Sequence, residues 1–219
     1  MTEMFEMVGT IRLTERDEEI VRCLALYVRL LSQRQASVHW FDGDDSNARR
    51  RLSHLQRLEL VRKVGVRART LPPIREPLIK WRPGEATPNC AKAAYVCRSR
   101  WRLRHVRSCT AYIATEKAAQ LFGGRRRGEI AKDLQVTHDL GVTQVWLLLD
   151  ETLPNWADAW RGEDVMAATR YRQKLPDGFI VDANATPICV MEFGGSYDEQ
   201  RVSEFHQDCA GRGLPYQLW

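Results

Sequence analysis

The 219-residue chain has little that would suit it to a membrane or an oxidising compartment. No apolar run approaches the roughly 20 residues a bilayer-spanning helix requires. The opening Met1–Met7 is acidic, not the basic-then-apolar order of a secretory signal. Six cysteines (Cys23, Cys90, Cys97, Cys109, Cys189 and Cys209) are too dispersed for a disulfide framework, so reduced thiols and a cytoplasmic location are expected.

Acids are scarce in one part of the chain only. Residues 1–132 carry 27 Lys and Arg against 14 Asp and Glu, a net +13, whereas residues 133–219 carry 6 against 14, a net −8. Such a basic half points to a polyanionic partner, and its dominant cation is arginine, whose planar donor fork suits phosphate and guanine.

Thr14 is placed to cap a first helix, with acids at 15 and 17–19 in its first turn and Ile20, Val21, Leu24, Tyr27, Leu30 and Leu31 along one side. A second, shorter helix is expected from Ser32 to about Trp40. After the turn Asp42–Asp45, Ser46 is expected to cap a third helix that buries Leu52, Leu55, Leu58 and Leu60. A basic strand then begins at Val61. Three helices followed by a strand fit a winged helix-turn-helix that binds double-stranded DNA. The expected contacts are Asn47, Arg49, Arg50, Arg51, His54 and Arg57 on the third helix, with Arg62, Lys63, Arg67 and Arg69 beyond it.

Residues 65–109 are broken by prolines and read as an enlarged basic wing in which Trp81, Tyr95 and Trp101 interrupt the cations. Cys90, Cys97, His105 and Cys109 raise the question of zinc, but their spacings of seven, eight and four residues match none of the usual ligand pairs, so no zinc is expected. A strand and helix from Thr110 stop at Gly123-Gly124, and Arg125–Arg127 read as the start of a basic linker.

In the second half, residues 134–149 read as a helix whose apolar end, Val145–Leu149, also fits a strand. Lys174–Val181 and Ile188–Gly195 read as two strands joined as a hairpin around Asp182–Pro187, followed by a helix from Tyr197 to Cys209 and a last strand from Leu214 to Trp219. Pro176-Asp177 at the head of one strand and Glu192 near the end of its neighbour resemble the PD-(D/E)XK nuclease core. That resemblance implies carboxylates at Asp177 and Glu192 sharing a Mg²⁺, with Asp139 as a possible third acid. The family's lysine position is Gly194 here, so the cation is missing. Lys174, Gln200 and Arg201 are candidates to replace it, and a non-cleaving descendant is favoured over a working Mg²⁺-dependent endonuclease.

Taken together, Leu13–Asp17, the arginine-rich third helix, Tyr112–Ala119, His138–Leu140, Leu175–Asp177 and Val190–Glu192 resemble the replication-relaxation family of winged-helix proteins of plasmids and other mobile elements. The resemblance implies a role at DNA in replication, transfer or gene control. The expected organisation is α/β: a tail (1–12), a winged helix-turn-helix (13–124), a linker (125–132) and a restriction-endonuclease-like αβα domain (133–219). A homodimer is expected, with the acidic second domain available to a protein partner.

Overall fold

The computed structural model describes residues 13–124, 133–166 and 175–219. The expected tail and linker, and Lys174, lie outside these. The described residues form a mixed α/β fold with two sheets.

Thr14 opens helix α1 (Glu15–Arg22): its hydroxyl accepts the Asp17 backbone N–H, and the Asp17 carboxylate accepts the Thr14 N–H in return. The chain then widens into a π-turn over Cys23–Tyr27. Ser32 and Gln35 repeat the reciprocal cap at the head of α2 (Gln33–Trp40). The cap of α3 (Asp45–Arg57) is Asp44 rather than Ser46, because the Asp44 carboxylate accepts from both the Ser46 and Asn47 N–H groups. Ile20, Leu24, Leu52, Leu55 and Leu60 interlock behind these helices.

The helices pack on an antiparallel sheet of three strands: β1 (Leu31–Ser32), β2 (Val61–Arg69) and β4 (Val106–Ala114), with β4 in the centre. The connection from β2 to β4 is not a simple wing. It contains β3 (Ile79–Trp81) and α4 (Cys90–Ser99), and β3 pairs with β8 (Tyr216–Leu218) at the edge of the other sheet. That sheet also holds β5 (Trp160–Gly162), β6 (Gly178–Val181) and β7 (Pro187–Glu192), in the order β3-β8-β7-β6-β5. Helix α5 (Glu116–Phe122) ends at Gly123, whose φ of 72° is left-handed backbone that favours glycine.

Helix α6 (Asp133–Thr152) joins the two sheets. It stays helical through Val145–Leu149, the stretch whose apolar run also fitted a strand. Val136 and Leu140 bury against Val64, Val66 and Ala68 of β2, while Trp146 stacks on Tyr27 at 5.0 Å. Polar ties fix it: Gln35 Nε2 donates to the Leu140 carbonyl at 2.8 Å, and the Arg69 N–H to Thr137 Oγ1 at 3.0 Å. The short helices α7 (Pro154–Asp158) and α8 (Glu163–Met166) flank β5. Helix α9 (Glu199–Gly211) packs beside α4 on the second sheet.

The core does not divide at residues 125–132. One cluster runs from Ile20 and Leu55 through Trp146 to Ile180, Met191, Phe193 and Trp219. The expected separate units at 13–124 and 133–219 therefore share a hydrophobic interior and a sheet, for apolar area is buried by either part against the other.

Candidate nucleic-acid interface and carboxylate cluster

On α3, Ala48, Leu52 and Leu55 face inward, so Arg49, Arg50 and Arg57 remain on the exposed side. Asn47 is held within the cap: its amide donates to Asp44 and its carbonyl accepts from Arg50 at 2.7 Å. His54 is half-buried. Arg51 leaves the expected contact set. Its guanidinium grips the carboxylate of Asp17, a residue with no exposed surface, through Nε at 3.0 Å and a second bond from Nη2. Burial alone would raise the Asp17 pKa, but the bonds from Arg51 and Thr14 outweigh it and hold the carboxyl below its ordinary value.

Side chains alternate across a strand, so the expected DNA-binding set divides further. Lys63 and Arg67 share one face of β2 and are exposed. The same face continues on β4 through their register partners Tyr112 and Ser108. Arg62 falls on the opposite face, with Val64, Val66 and Ala68, and Arg69 is half-buried beside α6. Arg49 lies close enough to Tyr112 for its charge to act on the phenol, although burial still raises the Tyr112 pKa. Helix α3 also packs against β2.

The second constellation is built where β6 begins and β7 ends. Asp177 and Glu192 come together as expected, and they brace each other. The Asp177 backbone N–H donates to Glu192 Oε2 at 3.2 Å, and the Phe193 backbone N–H donates to Asp177 Oδ2 at 2.7 Å. Asp177 Oδ1 faces His138 Nε2 of α6 at 3.3 Å. Glu192 Oε1 accepts from the Tyr197 hydroxyl, which in turn accepts from Arg201 at 3.1 Å. Each of the four carboxylate oxygens thus already has a protein donor.

Burial disfavours the charged form of His138, but Asp177 first, and then Glu192 and Asp139, reverse this and push its pKa up to about 9. Burial and the adjacent Asp177 charge hold Glu192 well above the usual carboxylate range, against the opposing bonds from Tyr197 and Asp177. The imidazolium of His138 supplies the positive charge beside Asp177. Asp139, the third candidate acid, pairs with Arg29 at 3.8 Å and lines a cavity of about 50 Å³ with His138 and Asp177.

Gly194, at the position of the missing lysine, has no room for a side chain. A β-carbon there would lie 2.7 Å from the Cys97 sulfur of α4. Of the candidate replacements, Arg201 reaches the cluster, through Tyr197. Gln200 bonds to Glu204 instead. His138, Tyr197 and Arg29 were not among the expected site residues. Tyr197 and Arg201 stand one helical turn apart, a spacing that hints at their pairing but not at Glu192 as its target.

The four residues weighed for zinc and set aside are spread over more than one element. Cys90 and Cys97 are buried under α4, Cys109 lies on β4 and His105 is exposed. Among the described residues, no three His, Cys, Asp or Glu side chains gather so as to hold a metal ion, and no helix is long and apolar enough to cross a membrane. No family model, curated protein or solved structure matches the chain.

Proposed function

We propose that the protein binds double-stranded DNA, with residues 13–124 acting as a winged helix-turn-helix in which α3 enters the major groove and the β2–β4 hairpin is the wing. The observation that carries this reading is the packing of α3, with Arg49, Arg50 and Arg57 exposed, against β2, with Lys63 and Arg67 exposed. Exposed arginines on a helix anchored at its back by leucines can reach phosphates and base edges without disturbing the core. A role in replication, transfer or gene control of a mobile element, and a homodimer presenting two copies of α3, belong to the same reading. Fluorescence anisotropy with a labelled duplex tests it. Arg49→Ala with Arg50→Ala should weaken binding at least about tenfold, since a good arginine–base pairing is worth roughly 1–3 kcal/mol. Unchanged affinity would remove α3 from the interface.

A second reading, metal-dependent DNA cleavage by a nuclease-like second unit, draws on the convergence of Asp177 and Glu192. It stands behind the first because the four oxygens are engaged and position 194 is closed. Supercoiled plasmid incubated with the protein and Mg²⁺ or Mn²⁺ should remain un-nicked. Nicking that disappears in Asp177→Ala would reverse the order of the two readings.

A further inference from the structure

From Ala86 to Thr115 the chain contains no Asp or Glu, yet it holds Lys92, Arg98, Arg100, Arg102, Arg104 and Arg107. A face kept soluble by charge mixes both signs, since charges of one sign repel each other and oppose folding. The structure divides this run by task. Arg100 is turned inward, its Nη2 donating to the Trp219 carbonyl at 2.8 Å and its guanidinium stacked 5.0 Å over Phe193. Lys92, Arg98 and Arg102 are exposed on the outer side of α4 and the turn that follows it.

Two large side chains stand among these cations without cover: Tyr95 is 66% exposed and Leu103 84%. The segment presenting them is fixed. Cys90, Ala93, Ala94 and Cys97 bury the inner side of α4, the indole of Trp101 donates to the Gly195 carbonyl at 2.7 Å, and the Arg104 N–H closes the turn on the Trp101 carbonyl. The turn leads directly into Val106, the register partner of Arg69. Val106 lies on the hairpin face that carries Ser108, Arg67 and Lys63, and it is itself 42% exposed. Helix α4 and the turn at 101–105 therefore lead into the Arg69–Val106 end of the hairpin, the end opposite Val61.

We propose that the outer face of α4 and the turn at 101–105 form a second DNA contact that grips the duplex flanking the α3 site. Lys92, Arg98 and Arg102 neutralise backbone phosphates, and Tyr95 and Leu103 lie against the sugar edge. This rests on the DNA-binding reading above and extends its footprint past the hairpin. β2 spans nine residues, so at about 3.3 Å per residue the turn lies roughly 26 Å beyond the start of the hairpin. That is about 8 base pairs of further duplex at 3.4 Å each.

The test measures duplex affinity against salt for the wild-type chain, for Lys92→Gln/Arg98→Gln/Arg102→Gln, and for Arg49→Ala/Arg50→Ala. Thermal melting should show both variants folded, as all five side chains lie on the surface. Removing three phosphate-neutralising cations should flatten the slope of log affinity against log salt by about 2 to 3. In parallel, acetylation of Lys92 followed by mass spectrometry should show protection by a 30-base-pair duplex, a reading that needs no variant. A triple variant with wild-type slope, or unprotected Lys92, overturns this proposal while a weakened α3 variant still upholds the first reading. Loss of the slope in the triple variant alone supports the α4 contact and removes α3. A wild-type chain that binds no duplex overturns both.

Discussion

Single side chains in this protein do more than their charge suggests, and neighbouring arginines on α3 have opposite tasks. Arg51 neutralises the fully buried Asp17, so Arg51→Ala strands a carboxylate away from water and should cost about 3 kcal/mol or more. Arg49→Ala, on the exposed side of the helix, should leave stability within about 0.5 kcal/mol. Urea unfolding of the two variants checks the contrast, and equal losses would contradict it. In the carboxylate cluster, His138 has a folded pKa near 9, above its ordinary 6.5. Its stabilising contribution is therefore complete below pH 6.5 and is lost as pH rises through about 9. Glu192, also raised from its ordinary 4.5, shifts stability in the same direction. The His138 part amounts to under about 3 kcal/mol, discounted because 32% of the side chain meets solvent. The melting temperature should fall between pH 6.5 and 9, and Asp177→Asn should flatten that limb and lower the His138 pKa measured by NMR. A wild-type limb that is flat, or a His138 pKa unchanged in Asp177→Asn, would show that the pair does not act in this way.

At the scale of elements, α6 explains why some residues break local rules. Glycine inside a helix costs about 1 kcal/mol relative to alanine, so Gly141→Ala would ordinarily stabilise. Here a β-carbon at 141 would lie 2.1 Å from the buried ring of Phe193, whose backbone N–H holds Asp177. Gly141→Ala should instead destabilise by about 1–3 kcal/mol in denaturant melts, and a gain in stability would show that Phe193 moves aside freely. Elements set by local chemistry were legible in the sequence. Thr14 caps where its side chain suggested, the second helix starts at Ser32 as expected, Gly123 stops α5, and the Gly178–Val181 and Pro187–Glu192 strands pair around their turn. What the sequence hid depends on distant partners. Ile79–Trp81 has nothing local to mark Tyr216–Leu218 as its neighbour, and Arg51 looks like any surface arginine until Asp17 is placed beside it. The acidic pair at Asp177 and Glu192 was readable from strand ends, whereas the side-chain donors that occupy its oxygens come from α6 and the approach to α9.

Across the whole molecule, the two sheets answer to one interior. β3 and α4 leave the first sheet between β2 and β4, complete the edge of the second and return, while α6 fills the space between them. The 219-residue chain should therefore unfold in a single calorimetric transition, and residues 133–219 expressed alone, deprived of β3 and α4, should show no cooperative melt. Two separated transitions would mean that the shared core contributes little. Charge is divided where packing is not, with a net +13 before residue 133 and −8 after it. The division runs along the sequence, while β3 and α4 of the basic part pack into the second sheet. The account turns on whether exposed cations from α3 and the hairpin engage phosphates together, which the salt dependence of wild-type binding to duplex DNA measures most directly. Engagement of about five or more phosphates predicts a linear fall of log affinity with log salt at a slope steeper than about −4. A slope near zero, or no binding at low salt, would contradict it.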